Sequence, residues 1–212
     1  QGLPTTYKNK INFNDVLFKI IMSVQGLQIF QWNCRSLSSN IHYLEQYIVD
    51  NAPHILSLQS LNVKRYKLPK LDGYFFPPIT PYIKNNAKVN VAIYVRTDID
   101  YVSCSSLVPK NVEGIFSVAV KIKINDQLYI NILSVYLPKG PSGNNCEWIK
   151  SIHEGKWVVT GDFNSHSNLW DKQCDHTTSR NLVENIENSN LVLLNDGRVT
   201  RIPDSANHRA YA

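Results

Sequence analysis

Asp162 and Asn164 stand two residues apart in the stretch Gly161-Asp162-Phe163-Asn164, which continues Ser165-His166-Ser167-Asn168-Leu169-Trp170-Asp171. The preceding run Lys156-Trp157-Val158-Val159-Thr160 is β-branched and aromatic and reads as a strand that delivers Gly161 to a turn. Alternate side chains of a strand point the same way, so the carboxylate and the amide are expected to emerge together at its end. An ionised carboxylate accepts protons and binds hard cations, and an amide donates hydrogen bonds to a phosphate oxygen or a water. The pair therefore suits metal-assisted phosphodiester hydrolysis. The triplet alone also has a plainer reading, a strand-to-loop turn in which both side chains satisfy local backbone groups. His166, His176 and His208 are isolated imidazoles in polar surroundings and read as solvated surface.

Several elements must position such residues. Residues 27–33 and 132–137 are apolar strands ending near Asn33 and Tyr136, and residues 55–59 and 91–96 are two more. Ser38 and Ser39 can cap a helix in which Ile41, Leu44, Tyr47 and Ile48 share a face before Pro53 stops it. Residues 115–124 and 128–137 form a hairpin about Asn125-Asp126. A second helix is expected over 178–187, with Leu182, Val183 and Ile186 inward, followed by a hairpin centred on Asp196-Gly197. Strands outnumber helices and adjoin antiparallel partners, which gives an α+β domain.

Four stretches, met in the expected order, carry a resemblance. They are Leu27-Gln28-Ile29-Phe30-Gln31-Trp32-Asn33-Cys34-Arg35-Ser36-Leu37, Ile132-Leu133-Ser134-Val135-Tyr136-Leu137-Pro138, the Asp162 motif, and Leu191-Val192-Leu193-Leu194-Asn195-Asp196-Gly197-Arg198-Val199-Thr200-Arg201-Ile202. From about Leu27 to Arg209 the chain resembles the endonuclease domain of non-LTR retrotransposons, within the endonuclease/exonuclease/phosphatase superfamily of apurinic endonucleases and DNase I. The resemblance implies a two-sheet β-sandwich flanked by helices, with its site at one end. It also implies Asn33 as a metal-proximal amide, Tyr136 as a phosphate-contacting phenol, Asp162 as the base that orients water, and Asn164 as its partner. Mg2+ would neutralise the phosphate, and DNA or RNA would be the partner.

The sequence departs from this pattern at the residues that matter for catalysis. The strand at 55–59 should deliver a Gln-Glu pair whose glutamate binds the metal, but the pair here is Gln59-Ser60. A serine hydroxyl is neutral and a poor Mg2+ ligand. Beyond Asn207-His208-Arg209 the family continues to an Asp-His pair, and this sequence reaches Ala212 without it, so the last strands of the sandwich are expected to be missing. Lys88-Val89-Asn90 and Ser179-Arg180-Asn181 replace glycine-containing motifs, and the segment between Pro138 and Lys156 is short. These departures point to a descendant with hydrolysis impaired or lost, retained for binding or as a structural component. The alternatives are an active Mg2+-dependent DNA-nicking endonuclease and, less favoured by the motifs, a phosphatase of the same superfamily.

At 212 residues with charge +5 and pI near 9.0, the chain is sized for one core and compatible with a nucleic-acid partner. Lys64-Arg65-Tyr66-Lys67-Leu68-Pro69-Lys70 is the densest basic run. Lys64, Arg65 and Lys67 are candidate phosphate contacts beside a tyrosine able to stack on a base, against the plainer reading of a solvated loop. Cys34, Cys104, Cys146 and Cys174 lack metal-ligand spacing, and Cys34 reads as a buried reduced thiol. No asparagine opens a glycosylation sequon and no membrane span is visible, which favours the nucleus or cytoplasm while leaving a secreted mature chain open. Residues 1–21 read as an unrelated leader and residues 22–212 as the domain, with Met22 the single methionine. An apolar run at 15–21 fits a short helix or a strand. A protein partner, a second copy or the leader itself is expected to complete the sandwich.

Overall fold

The computed structural model describes residues 26–78, 88–104, 109, 114–152, 155–170 and 177–195. The leader at 1–21, the hairpin about Asp196-Gly197, His176, His208 and Cys174 lie outside them. Among the described residues, seven strands form two sheets. β1 (Ile29–Asn33), β2 (Ile55–Lys64) and β3 (Lys88–Val95) make one, in that order. β4 (Tyr101–Ser103), β5 (Phe116–Asn125), β6 (Leu128–Tyr136) and β7 (Lys156–Asp162) make the other. Each sheet has one parallel pair, β1 with β2 and β6 with β7; the remaining pairs are antiparallel. Helix α1 (Leu37–Asn51) crosses from β1 to β2, and α2 (Thr177–Glu187) follows β7.

Alternation along the strands builds three apolar layers. Ile29, Ile55, Val91, Ile93 and Val95 meet Val118, Val120, Ile122, Ile130, Ile132 and Val158 between the sheets. Phe30, Trp32, Leu56, Leu58, Ala92 and Tyr94 face the other way, onto Leu37, Leu44 and Tyr47 of α1. Ala119, Leu133 and Val135 cover the far side with Cys146, Ile149, Trp170 and Leu182 of α2. The order is thus helix, sheet, sheet, helix, as expected for an α+β sandwich. Each fully buried branched side chain contributes about 1.5–3 kcal/mol.

Four expectations are corrected. Ser36, not Ser38 or Ser39, holds the N-cap position of α1; it sits at φ 85° and makes no side-chain cap, while its N–H donates to the Ser60 carbonyl at 2.9 Å. The β5–β6 turn is Asp126-Gln127, since the Asn125 side chain accepts from the Gln127 N–H at 3.0 Å and Asn125 stays paired with Leu128. Residues 191–195 run without regular secondary structure. β2 and β3 reach further than the apolar runs suggest. Past Gln59 the register slips and Ser60, Leu61 and Asn62 stand opposite Asn90 alone, before Val63 and Lys64 pair with Val89 and Lys88. Ser60 and Asn62 adopt φ of 55° and 52°, which sends Leu61 between them into the α1 core at 0% exposure. Two left-handed residues cost about 1–2 kcal/mol each, and burying a leucine offsets much of that.

Candidate active site

Both parallel pairs close on the same end of the sandwich. Asn33 ends β1 opposite Gln59, and Asp162 ends β7 opposite Tyr136. Across the sheets the Asn33 amide donates to Asp162 Oδ2, joining residues 129 apart in the chain. Asp162 Oδ1 accepts from the Asn164 N–H at 2.9 Å, and Asn33 Oδ1 accepts from the Arg35 N–H at 3.1 Å. Tyr136 stands beside Asp162 with its ring stacked on Phe116, centroids 6.2 Å apart. Asn33, Tyr136 and Asp162 therefore meet on one rim.

Asn164 sits there differently from the alternation argument. β7 stops at Asp162, and Asn164 turns at φ 43°, so its amide donates to the Leu137 carbonyl at 2.9 Å and pins the neighbouring loop. Two glycines make this possible. A Cβ on Gly161, at φ 152°, would lie 2.0 Å from the Val135 carbonyl, and one on Gly140, at φ 72°, would lie 2.8 Å from the Asn164 carbonyl. The loop beyond is held by Trp170, whose Nε1 donates to the Ser165 carbonyl at 3.1 Å; half-buried His166 belongs to this loop.

Beneath the rim lies a buried polar ladder that sequence reasoning missed. Gln31 Nε2 donates to Gln59 Oε1 at 2.7 Å, and Gln59 Nε2 donates to Ser57 Oγ and Ser134 Oγ at 2.9 and 2.8 Å. Ser57 Oγ donates to Ser134 Oγ at 2.8 Å and stands 2.5 Å from Thr160 Oγ1. With Ser57 donating to Ser134, the Ser57–Thr160 proton comes from Thr160, and both Gln59 amide hydrogens are used. An unsatisfied buried group costs about 1–3 kcal/mol, so the five side chains hold one another in place and tie the sheets together. The Gln59 and Ser60 carbonyls receive the Cys34 and Ser36 N–H groups at 2.8 and 2.9 Å, which fixes the turn after Asn33. Arg35 and Ser36 in that turn have φ of 45° and 85°, so non-glycine positive φ gathers on this rim. Outliers of this kind cluster where structure over-determines the backbone. Cys34 is a free thiol at 1% exposure, and burial pushes its pKa far up. Cys104 and Cys146 are also free.

The donors on this rim can be tested against Mg2+, which takes carboxylate and phosphate oxygens in an octahedron. Asp162 supplies a carboxylate, but both its oxygens accept protein hydrogen bonds, and Asn33 offers it an N–H while turning its own oxygen to Arg35. Ser60 offers a neutral hydroxyl. No group of three His, Cys, Asp or Glu side chains able to hold a metal forms among the described residues. Among the described residues, this rim offers Mg2+ a single carboxylate, that of Asp162. Lys64, Arg65 and Lys67 lie past the bulge, at the end of β2 and in the 3-10 turn Arg65–Lys67. No helix among the described residues is long and apolar enough to cross a membrane.

Two stacked mixed sheets, parallel pairs closing on one rim and flanking helices define the DNase I-like endonuclease/exonuclease/phosphatase fold. The endonuclease domain of TRAS1, a telomere-specific non-LTR retrotransposon, superposes with TM-score 0.64 at 22% identity, covering 81% of this chain and 76% of that one. AP endonuclease LMAP from Leishmania major superposes at 0.54 with 14% identity, covering 76% and 66%. The endonuclease-reverse transcriptase family model matches residues 130–209. A probable RNA-directed DNA polymerase from transposon BS of Drosophila melanogaster is 25% identical over 183 residues, 86% of this chain. The chain spans only 20% of that relative's length. The fold and the matches support a non-LTR retrotransposon endonuclease-like domain.

Proposed function

We propose that this endonuclease-like domain has impaired or lost phosphodiester hydrolysis and acts by holding nucleic acid, or as a structural part of an assembly. The observation that carries this reading is the rim itself, where Asp162 is committed to Asn33 and Asn164 and Ser60 stands in place of the metal-binding glutamate of the resemblance. Removing one preorganised transition-state group typically costs 10²–10³ in rate, on the order of the loss expected from a missing ligand. Asn33 and Asn164 then act as positioning residues for Asp162, and Tyr136 offers its phenol to a phosphate. Lys64, Arg65 and Lys67 supply phosphate contacts that are sequence-independent and salt-sensitive.

The second reading, an active Mg2+-dependent DNA-nicking endonuclease, draws on the meeting of Asn33, Tyr136 and Asp162 and on the nuclease named among the structural neighbours. Supercoiled plasmid in Mg2+ or Mn2+ separates the two. The chain is expected to nick no faster than its Asp162→Ala variant; metal-dependent nicking abolished by that substitution establishes the active enzyme instead. Calorimetry on Ser60→Glu is expected to show stronger Mg2+ binding with little turnover.

A further inference from the structure

We propose that the extension of β2 and β3 beyond the bulge is a subsite for an unpaired nucleotide, with Tyr66 stacking on the base and Lys64, Lys67 and Lys88 holding flanking phosphates. The subsite rests on the nucleic-acid reading above and specifies the strand state selected.

Directly opposed residues of antiparallel strands share a face. Val63 and Val89 oppose each other and are buried, so Lys64 and Lys88, opposed one step on, share the exposed face. Opposed Cβ atoms lie about 4.5–5.5 Å apart, and like charges so placed repel. No ion pair joins Lys64, Lys67 or Lys88 to a carboxylate among the described residues. A phosphate oxygen between the ammonium groups converts this repulsion into charge-assisted hydrogen bonding.

Tyr66 follows at once, 64% exposed, with Lys64 Nζ 5.9 Å from its ring centroid. The turn that carries it is anchored. The Leu68 N–H donates to the Arg65 carbonyl at 3.2 Å, Leu68 is buried, and the Tyr94 hydroxyl donates to the Pro69 carbonyl at 2.9 Å. An exposed tyrosine on an anchored turn has only two side-chain torsions to fix when a base stacks on it. A merely solvated basic loop requires neither the ring nor the anchoring. Every base has a π-face but a duplex keeps its faces stacked, so such a ring favours unpaired nucleotides without reading sequence. Ser60 and Lys64 are four residues apart, at most about 14 Å, so the subsite borders the rim.

Fluorescence anisotropy on the intact chain, with labelled single-stranded DNA, single-stranded RNA and duplex DNA of one sequence, tests this. Tyr66→Leu is expected to weaken single-strand binding about fivefold or more and duplex binding less than about twofold, with Tyr66→Phe close to wild type. Lys88→Glu is expected to weaken all three and lower the salt slope by about one. The single strand that loses more identifies DNA or RNA as the source. Equal losses on single strand and duplex, or none, overturn the subsite while leaving the proposed function standing. Failure of the wild-type chain to bind any of the three overturns the subsite and the nucleic-acid reading it rests on, and leaves the structural role in an assembly. Matching circular dichroism spectra confirm that the exposed substitutions leave the fold intact.

Discussion

Asp162 ends β7 behind a glycine that admits no side chain, whereas Ser60 leaves the paired part of β2 on a bulge that carries side chains through positive φ. The β6–β7 side of the rim is held by steric exclusion and keeps its charge. The β1–β2 side is held by backbone donations from Cys34 and Ser36 to carbonyl oxygens, which any residue at 59 or 60 supplies. A framework of the second kind keeps its shape when the side chain at 60 changes. This difference explains how a neutral hydroxyl stands at Ser60 in an intact sandwich.

The sharpest way to break the comparison is Gly161→Ala. Its Cβ would sit 2.0 Å from the Val135 carbonyl oxygen near the end of the β6–β7 parallel pair, so backbone rather than a side chain must shift. Thermal unfolding followed by circular dichroism is expected to show a loss of at least ~3 kcal/mol, on the order of 6–12 °C for a domain of this size, or no cooperative transition. Ser60→Ala, by contrast, is expected to stay within ~1 kcal/mol of wild type. Comparable losses from both would dissolve the distinction between the two sides.

Gln59→Leu sharpens it from beneath. The amide joins Gln31, Ser57 and Ser134, so its removal leaves buried partners unsatisfied and is expected to cost about 2–4 kcal/mol. Replacing Ser57, Ser134 and Gln59 together by apolar residues of similar shape is expected to recover part of that loss, because the orphaned partners are then fewer. An additive triple variant would show the ladder to be independent contacts.

The ladder also marks where legibility in the sequence ends. Alternating Val and Ile in β3, β5 and β6 announce which face is buried, and the Leu44, Tyr47 face of α1 does the same by helical spacing. The run ending at Asp162 locates the rim. Ser57, Ser134 and Thr160, however, look like small polar residues in three separate strands, and the Ser57–Ser134 contact spans 77 positions. No local pattern encodes it. The extension past Ser60 was hidden for another reason: positive φ at Ser60 and Asn62 interrupts the period-two alternation on which strand reading depends. Asn164 was misdirected by carrying that alternation past the end of β7.

The smallest predicted effect lies at the other end of the sandwich and contrasts it with the rim. Gln28 donates its N–H to His54 Nδ1 at 2.9 Å, and burial, with help from Arg96, holds the imidazole below its ordinary value of 6.5. The folded pKa is lower than the unfolded one, so this contribution is complete above about pH 6.5 and is lost as pH falls through the folded value. Melting temperatures measured across that interval should fall slightly more for wild type than for His54→Gln. Parallel curves would remove His54 from the account.

The bond between Asn33 and Asp162 has a consequence for biosynthesis. β1, α1, β2 and β3 can assemble as soon as they leave the ribosome, since their partners are near in sequence. The inward face they present, Ile29, Ile55, Val91, Ile93 and Val95, has its cover in β5, β6 and β7, which emerge later. Until then the nascent chain displays a broad apolar sheet face, the kind of surface on which folding intermediates aggregate. A translational pause between β3 and β5 is therefore expected to lower the yield of folded domain, and chaperone shielding of that face to restore it.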